Sequence, residues 1–376
     1  MIRSLYLHNF KCFADQHLPF GALTLLSGLN GMGKSSVMQS LLLLRQSYQQ
    51  GLLAETGLAL NGDLVRLGTA QDVFYENAND DHLTLGLDLA NGIEQRWRFD
   101  YTAGDDVIKL TTDSVTATDA SIYQTHLFTD EFHYLQAERL GPRTSFGTSD
   151  YLVREHRQLG PSGEYAPYYL SVFGARDIPN AALHHPAAAA PSLLIEAEAW
   201  MGEVSPGTRL KITAVPDMDL MGLRFAFAMG SNESRPYRAT NVGFGLTYTL
   251  PIIVATLAAA PGSLLLIENP EAHLHPKGQA LMGDLLARAA SGGVQVVLET
   301  HSDHVLNGIR LAVHGGRIAP DAVQLHYFER RERAGFAHHF VSSPHIDRDG
   351  RIDDWPDGFF DEWDKSLEAL LEPRED

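Results

Sequence analysis

Apolar and polar positions alternate over residues 1–10, as in a strand with one buried face. The unbroken apolar run from Leu23 to Ser27 predicts a fully buried strand, and Ser36 to Gln46 carries the spacing of a helix. Leu83 to Leu89 and Ile93 to Tyr101 are strand-like, with Asn91-Gly92 between them as a hairpin turn. Two more strands are expected within 208–229. Thr247 to Ile267 is apolar for about the length of a membrane span, but Pro251, Pro261 and Gly262 interrupt it. That stretch is expected to be a buried helix, a tight turn and a buried strand. Val294 to Leu298 predicts a further buried strand. Sustained heptads and internal repeats are absent from the pattern.

The segment between the first buried strand and its helix carries chemistry. Gly28, Asn30, Gly31, Gly33, Lys34 and Ser35 belong to a run of the form G-x-x-x-x-G-K-[ST]. A strand feeding such a loop and a helix leaving it aim backbone N–H groups and a helix dipole at one anion. Glycine lets the backbone wrap phosphates without a Cβ clash. Lys34 would reach the β- and γ-phosphates of a nucleotide, and Ser35 would hold Mg²⁺.

The strand ending at Ile267 is followed by Glu268, Asn269 and Glu271. An acid at that point matches the second nucleotide motif, so Glu268 is expected to share the Mg²⁺ ion with Ser35. The strand ending at Leu298 runs into Glu299-Thr300-His301. His301 is expected to sense the γ-phosphate from a strand end beside the phosphate loop. Asn241 and Gly243 precede a helix; they read either as a second anion site or as an N-cap, with Asn241 the capping residue. His184-His185 is expected in an exposed loop, and the His273-x-His275 pair lacks the further ligands a metal site needs. Arg139 and Arg143 are read either as phosphate or DNA contacts or as buried pairs.

Composition narrows the partners. A chain of 376 residues suits one large domain or two smaller ones. Its net charge of −18 argues against simple coating of nucleic acid. Residues 341–376 hold twelve acids against four bases. A single cysteine, Cys12, excludes an internal disulfide framework and suits a reducing cytosol. The N-terminus lacks the apolar core of a signal peptide, so a cytoplasmic protein without a membrane partner is expected.

Together these motifs resemble the ABC-type ATPase class that includes the SMC, RecF, Rad50 and OLD proteins. Asn9-Phe10-Lys11, the phosphate loop, the Glu268 to Pro276 run and Thr300-His301-Ser302 carry the likeness. The chain is most similar to a bacterial group of short AAA-annotated ATPases with the same acid run, the same histidine run and a tail like Trp355 to Asp361. The resemblance implies an α/β P-loop NTPase head with a mixed sheet and an inserted β-rich and helical region. It implies one head over 1–376: a nucleotide-binding lobe at 1–50, an inserted lobe at 51–235, a C-terminal ATPase lobe at 236–315 and an acidic tail at 316–376.

ATP and Mg²⁺ are implied as ligands. Lys11, Asn30, Gly31, Gly33, Lys34, Ser35 and Ser36 would bind the nucleotide in one head, and Asn241 and Gly243 would cap it from the other. Members of the class usually place a catalytic glutamate directly after the Mg²⁺ acid. Asn269 stands there instead, which leaves Glu271 as the expected base beside Glu268 and His301. The function implied is an ATP switch that forms a homodimer around ATP and acts through a separate effector, in DNA-related processes or antiphage defence. The alternatives are a RecF-like DNA repair ATPase and a nucleotide-gated scaffold with little hydrolysis. The likeness stops short of the coiled coil of SMC and Rad50 and the nuclease domain of OLD proteins.

Overall fold

The computed structural model describes all residues except 118, 231, 334–335 and 372–376. Glu372, Glu375 and Asp376 of the acidic tail therefore lie outside the described residues.

A six-stranded sheet occupies the middle of the molecule. Its order is Phe336–Ser342, Val323–Arg333, Leu23–Gly28, Gln295–Glu299, Leu264–Glu268 and Phe132–Leu135. All neighbours are parallel except the first two, which form an antiparallel hairpin at one edge. Both faces are covered, which is why the inner strands read as unbroken apolar runs rather than alternation. Leu23, Leu25, Leu26, Leu265, Leu266, Val296 and Val297 are all fully buried.

Two hydrophobic cores flank this sheet. On one side lies the long helix Lys34–Gln49, whose Leu41, Leu42, Leu43 and Leu44 are all buried, against a second six-stranded sheet built around Ile2–Phe10. That sheet is antiparallel throughout, and its strands His82–Leu89 and Glu94–Asp100 form the expected hairpin. On the other side, helices Leu193–Val204, Phe244–Ala258, Pro276–Ser291 and Asp303–His314 share a core with the strand pair Thr208–Val215 and Leu220–Met229.

The apolar stretch that approached a membrane span resolves into helix Phe244–Ala258, with Pro251 inside it, and strand Leu264–Glu268. Among the described residues, no helix is long and apolar enough to cross a membrane.

Two local expectations are corrected. Asn241 does not cap the helix: it ends a short turn at Ala239–Asn241, and Gly243 in an extended conformation is the N-cap. His185 is not freely exposed: its side chain keeps only 10% of its surface, lies 3.3 Å from Glu203 and meets the Trp200 ring edge-on. Its neighbour His184 bonds Glu196, a carboxylate with 1% of its surface exposed. A buried acid has to find donors, and this loop supplies them.

Candidate functional site

The parallel register brings three strand ends to one place. Leu26 pairs with Glu299, and Glu299 pairs with Glu268, so the phosphate loop and both acids leave the sheet at the same edge. In open α/β sheets ligands bind at this carboxyl edge. The strand that ends at Glu299 and runs on into Thr300 and His301 separates the phosphate-loop strand from the Glu268 strand.

Backbone conformation shapes the loop. Gly28, Gly31 and Gly33 have φ of +141°, +77° and +111°. A Cβ on Gly28 would stand 2.3 Å from the Phe328 carbonyl oxygen, and one on Gly33 would meet Phe13 and Cys12 at 2.6 and 2.8 Å. A Cβ on Gly31 would meet nothing within 4 Å, so this glycine faces open space. Lys34 is buried and its Nζ donates to the Gly28 and Leu29 carbonyls, both at 2.9 Å. Gly33 is the N-cap of Lys34–Gln49, so the helix N-terminus points into the loop. Asn30 and Ser35 are exposed, and Ser36 is buried.

Lys11 has φ +51° and donates from Nζ to Gln39 Oε1 at 2.6 Å, so its ammonium is held against the first helix. Burial lowers its pKa. Burial likewise pushes the Cys12 thiol up to about 11.

Ser35 and Glu268, expected to share one ion, do not bond each other. The carboxylate against the Ser35 hydroxyl is Glu299, with its two oxygens at 3.3 and 3.2 Å. Glu299 also lies 3.9 Å from Lys34 Nζ. Both Glu268 oxygens are engaged elsewhere. One accepts from the Tyr134 hydroxyl at 2.9 Å and the other from the Ala137 N–H at 3.0 Å. Burial first, then the Glu268 charge, push the Tyr134 phenol far up. The pattern gave one signal for Glu299, an acid closing an otherwise apolar strand. Its partner Ser35 is 264 residues away and could not be read locally.

Burial pushes the Glu299 carboxyl up to about 7, with Glu268 and Glu271 adding to the rise and Lys34 and Ser35 opposing it. Glu271 bridges two strand ends: it accepts from Thr300 Oγ1 at 2.7 Å and from the His301 N–H at 2.9 Å. That tie presents the half-exposed His301 imidazole beside the loop. Its pKa is lowered by burial and then by the Lys34 charge. Asn269 has φ +45°, and its Oδ1 is buried with no hydrogen-bond partner among the described residues.

Arg139 is a structural cation, not a surface contact. It is 2% exposed and donates to the carbonyls of Gln136, Tyr248, Glu268 and Asn269, the last two at 2.6 Å. Arg143 lies with it at an open cavity that Phe244 and Tyr248 also line.

Asn241 and Gly243 stand apart from the loop, in a cavity of about 580 Å³ that His273 and His275 share. The Phe244 ring is 57% exposed and lies 5.5 Å from His273. His275 caps the next helix, accepting from the Lys277 N–H. Among the described residues, no cluster of three His, Cys, Asp or Glu side chains is arranged to hold a metal.

The C-terminal segment closes the other flank. A cavity of about 560 Å³ is lined by Ser27, Leu29, His301 and Asp303 from the site and by Phe360 and Trp363 from the tail. Phe359 is fully buried against Tyr327, so the segment is anchored beside the strand that pairs with the phosphate-loop strand.

A family model described as "AAA domain, putative AbiEii toxin, Type IV TA system" matches residues 23–307, more than half of the chain, including the phosphate loop, Glu268, Asn269, Glu271, Glu299 and His301. The chain belongs to this AAA family. A second model, "Protein of unknown function (DUF3696)", matches residues 318–370, the edge hairpin and the tail.

Among solved structures, an SMC head bound to the C-terminal winged-helix domain of ScpA is similar, with TM-score 0.50 and 14% identity over 91% of this chain and 98% of that one. An SMC head from Thermotoga maritima gives TM-score 0.44 and 12% identity over 91% and 98%. An SMC head with an extended coiled coil, from Pyrococcus furiosus, gives 0.45 and 13% over 99% of each chain. No curated protein matches. The family and the first likeness establish a P-loop NTPase fold of the ABC/SMC class.

Proposed function

We propose that this protein is an ATP-binding switch that hydrolyses ATP, closes as a head-to-head homodimer around it, and acts through a separate effector in a defence or DNA-related process. The observation that carries this reading is the convergence at one sheet edge of the phosphate loop, Lys34, Ser35 with Glu299, and the Glu271–His301 tie. The residues fit ATP with Mg²⁺. Gly31 leaves open space over the loop, Lys34 hydrogen-bonds two loop carbonyls that a phosphate can replace, and the oxygen donors are the hard ligands magnesium takes.

In this reading Asn30, Gly31, Gly33 and Ser36 supply the loop around the β-phosphate, with Lys34 on the β- and γ-phosphates. Lys11 serves the nucleotide from the first strand's turn. Magnesium would neutralise charge on the phosphates, held at Ser35 and the carboxylate against it, Glu299, with Glu268 at the neighbouring strand end. Asn269 offers a buried, unpartnered oxygen that can orient a water but cannot take its proton. Glu271 takes that proton, and His301 faces the γ-phosphate from the strand end that Glu271 holds. Gly243 at the N-terminus of its helix, with Asn241 in the turn before it, lines a cavity separate from the phosphate loop and would cap the partner's ATP. ATP then acts as differential glue between open and closed states. The family description supports a defence role with a partner protein.

Turnover by the purified chain, with Lys34→Ala as blank, tests the reading. Glu271→Gln should keep ATP binding, lower turnover by about 100-fold or more, and trap a dimer by light scattering in ATP. An unchanged mass in ATP for both wild type and Glu271→Gln would sink the sandwich. ATP binding without turnover above the blank would favour a nucleotide-gated scaffold, the reading that Asn269 supports. Stimulation by duplex DNA would favour the RecF-like alternative.

A further inference from the structure

Glu299 has no role in the motifs that drew attention to this site, yet its carboxylate is the one bonded to Ser35. We infer that Glu299 is the direct carboxylate ligand of the nucleotide's magnesium ion, and that Glu268 is a positioning residue which fixes the neighbouring strand end. The inference rests on the nucleotide-site reading above.

Three observations carry it. In P-loop enzymes the hydroxyl after the lysine holds the metal, and here that hydroxyl already touches both Glu299 oxygens at 3.2–3.3 Å. A cation entering between Ser35 and the phosphates would therefore meet Glu299. Second, Glu268 is held elsewhere: one oxygen accepts from Tyr134, the other from the Ala137 N–H, neither bonds Ser35, and Arg139 clamps its carbonyl at 2.6 Å. Rotating it towards a metal would take the acceptor from two partly buried donors. Third, Glu299 is 7% exposed, bonded to a hydroxyl with the Lys34 ammonium 3.9 Å away, and the Glu268 and Glu271 carboxylates are close enough to repel its charge. Such a group calls for a cation. Magnesium on nucleotides uses one or two protein carboxylates and fills its octahedron with phosphate and water oxygens, so a single glutamate suffices.

The division of labour is testable by binding alone. A fluorescent ATP analogue is titrated into the full chain with excess EDTA and then with rising magnesium. The magnesium concentration at half-effect should rise about 10- to 100-fold in Glu299→Gln and stay within about threefold of wild type in Glu268→Gln. Binding in EDTA should be similar in all three. The reverse pattern, Glu268→Gln shifted and Glu299→Gln not, overturns the inference. If Glu299→Gln does not fold by thermal melting, Glu268→Gln decides alone: an unshifted midpoint supports the inference and a shifted one overturns it. If wild type binds the analogue no better than Lys34→Ala under either condition, the nucleotide reading itself fails, which is a separate outcome.

Discussion

Arg139 shows how a charged residue can serve as scaffold. Its guanidinium gathers four backbone carbonyls from three segments, including those of Glu268 and Asn269. Burial alone lowers its pKa to about 10, against the pull of Glu271, Tyr248 and Glu268, and it stays protonated at neutral pH. Truncation to alanine would leave several buried acceptors unpaired and open a void. Arg139→Ala should lose at least about 3 kcal/mol in urea unfolding, each orphaned buried group costing about 1–3 kcal/mol. A loss below about 1 kcal/mol would mean that the segment repacks or is wetted. The arginine was visible in the sequence, but its partners are carbonyls, which no side-chain pattern reports.

At the scale of elements, the turn between the phosphate-loop strand and its helix separates two kinds of glycine. Gly28 sits where the neighbouring strand's Phe328 carbonyl leaves no room, and Gly31 faces open space. Gly28→Ala should therefore cost about 2–3 kcal/mol and distort the loop, since strain and overlap add. Gly31→Ala should cost about 1–2 kcal/mol for its positive φ alone. Paired chemical denaturation of the two variants checks the order. The helix opening at Phe244 offers a similar contrast: a Cβ on Gly245 would lie 2.6 Å from the His273 carbonyl oxygen. That close approach ties the Asn241–Gly243 loop to the loop after Glu268. Strand, loop and helix near the phosphate site were legible because each is set by local periodicity. Asn241 does not cap the helix because an intervening turn displaces the helix start by two residues.

Over the whole molecule, two buried histidines make stability depend on pH. Burial holds both His133 and His326 down to about 4, from an ordinary value of 6.5. His133 is buried on the strand Phe132–Leu135 with its Nδ1 unpartnered among the described residues, while His326 bonds Pro19 and Ser343. In this pH range the unfolded chain binds protons that the folded chain refuses, so stability rises with pH. The contribution is complete above about pH 6.5 and is lost as the pH falls towards 4. The thermal midpoint should drop through that window, and less steeply in His133→Gln. An identical slope in the variant would refute the assignment to His133. The net charge of −18 belongs to the same scale. It makes any DNA contact local and strongly salt-sensitive.

The chain's own pattern determined the phosphate loop with its strand and helix, the buried Leu264–Glu268 and Gln295–Glu299 strands, and the hairpin at Asn91-Gly92, because neighbours along the chain share one local geometry. It could not determine which acid faces Ser35, what Arg139 holds, or that the tail walls the site. Those depend on strand order and register in the central sheet, which bring together residues hundreds of positions apart. Periodicity reports how each segment meets a core, whereas which segments meet one another is settled only when all of them pack at once.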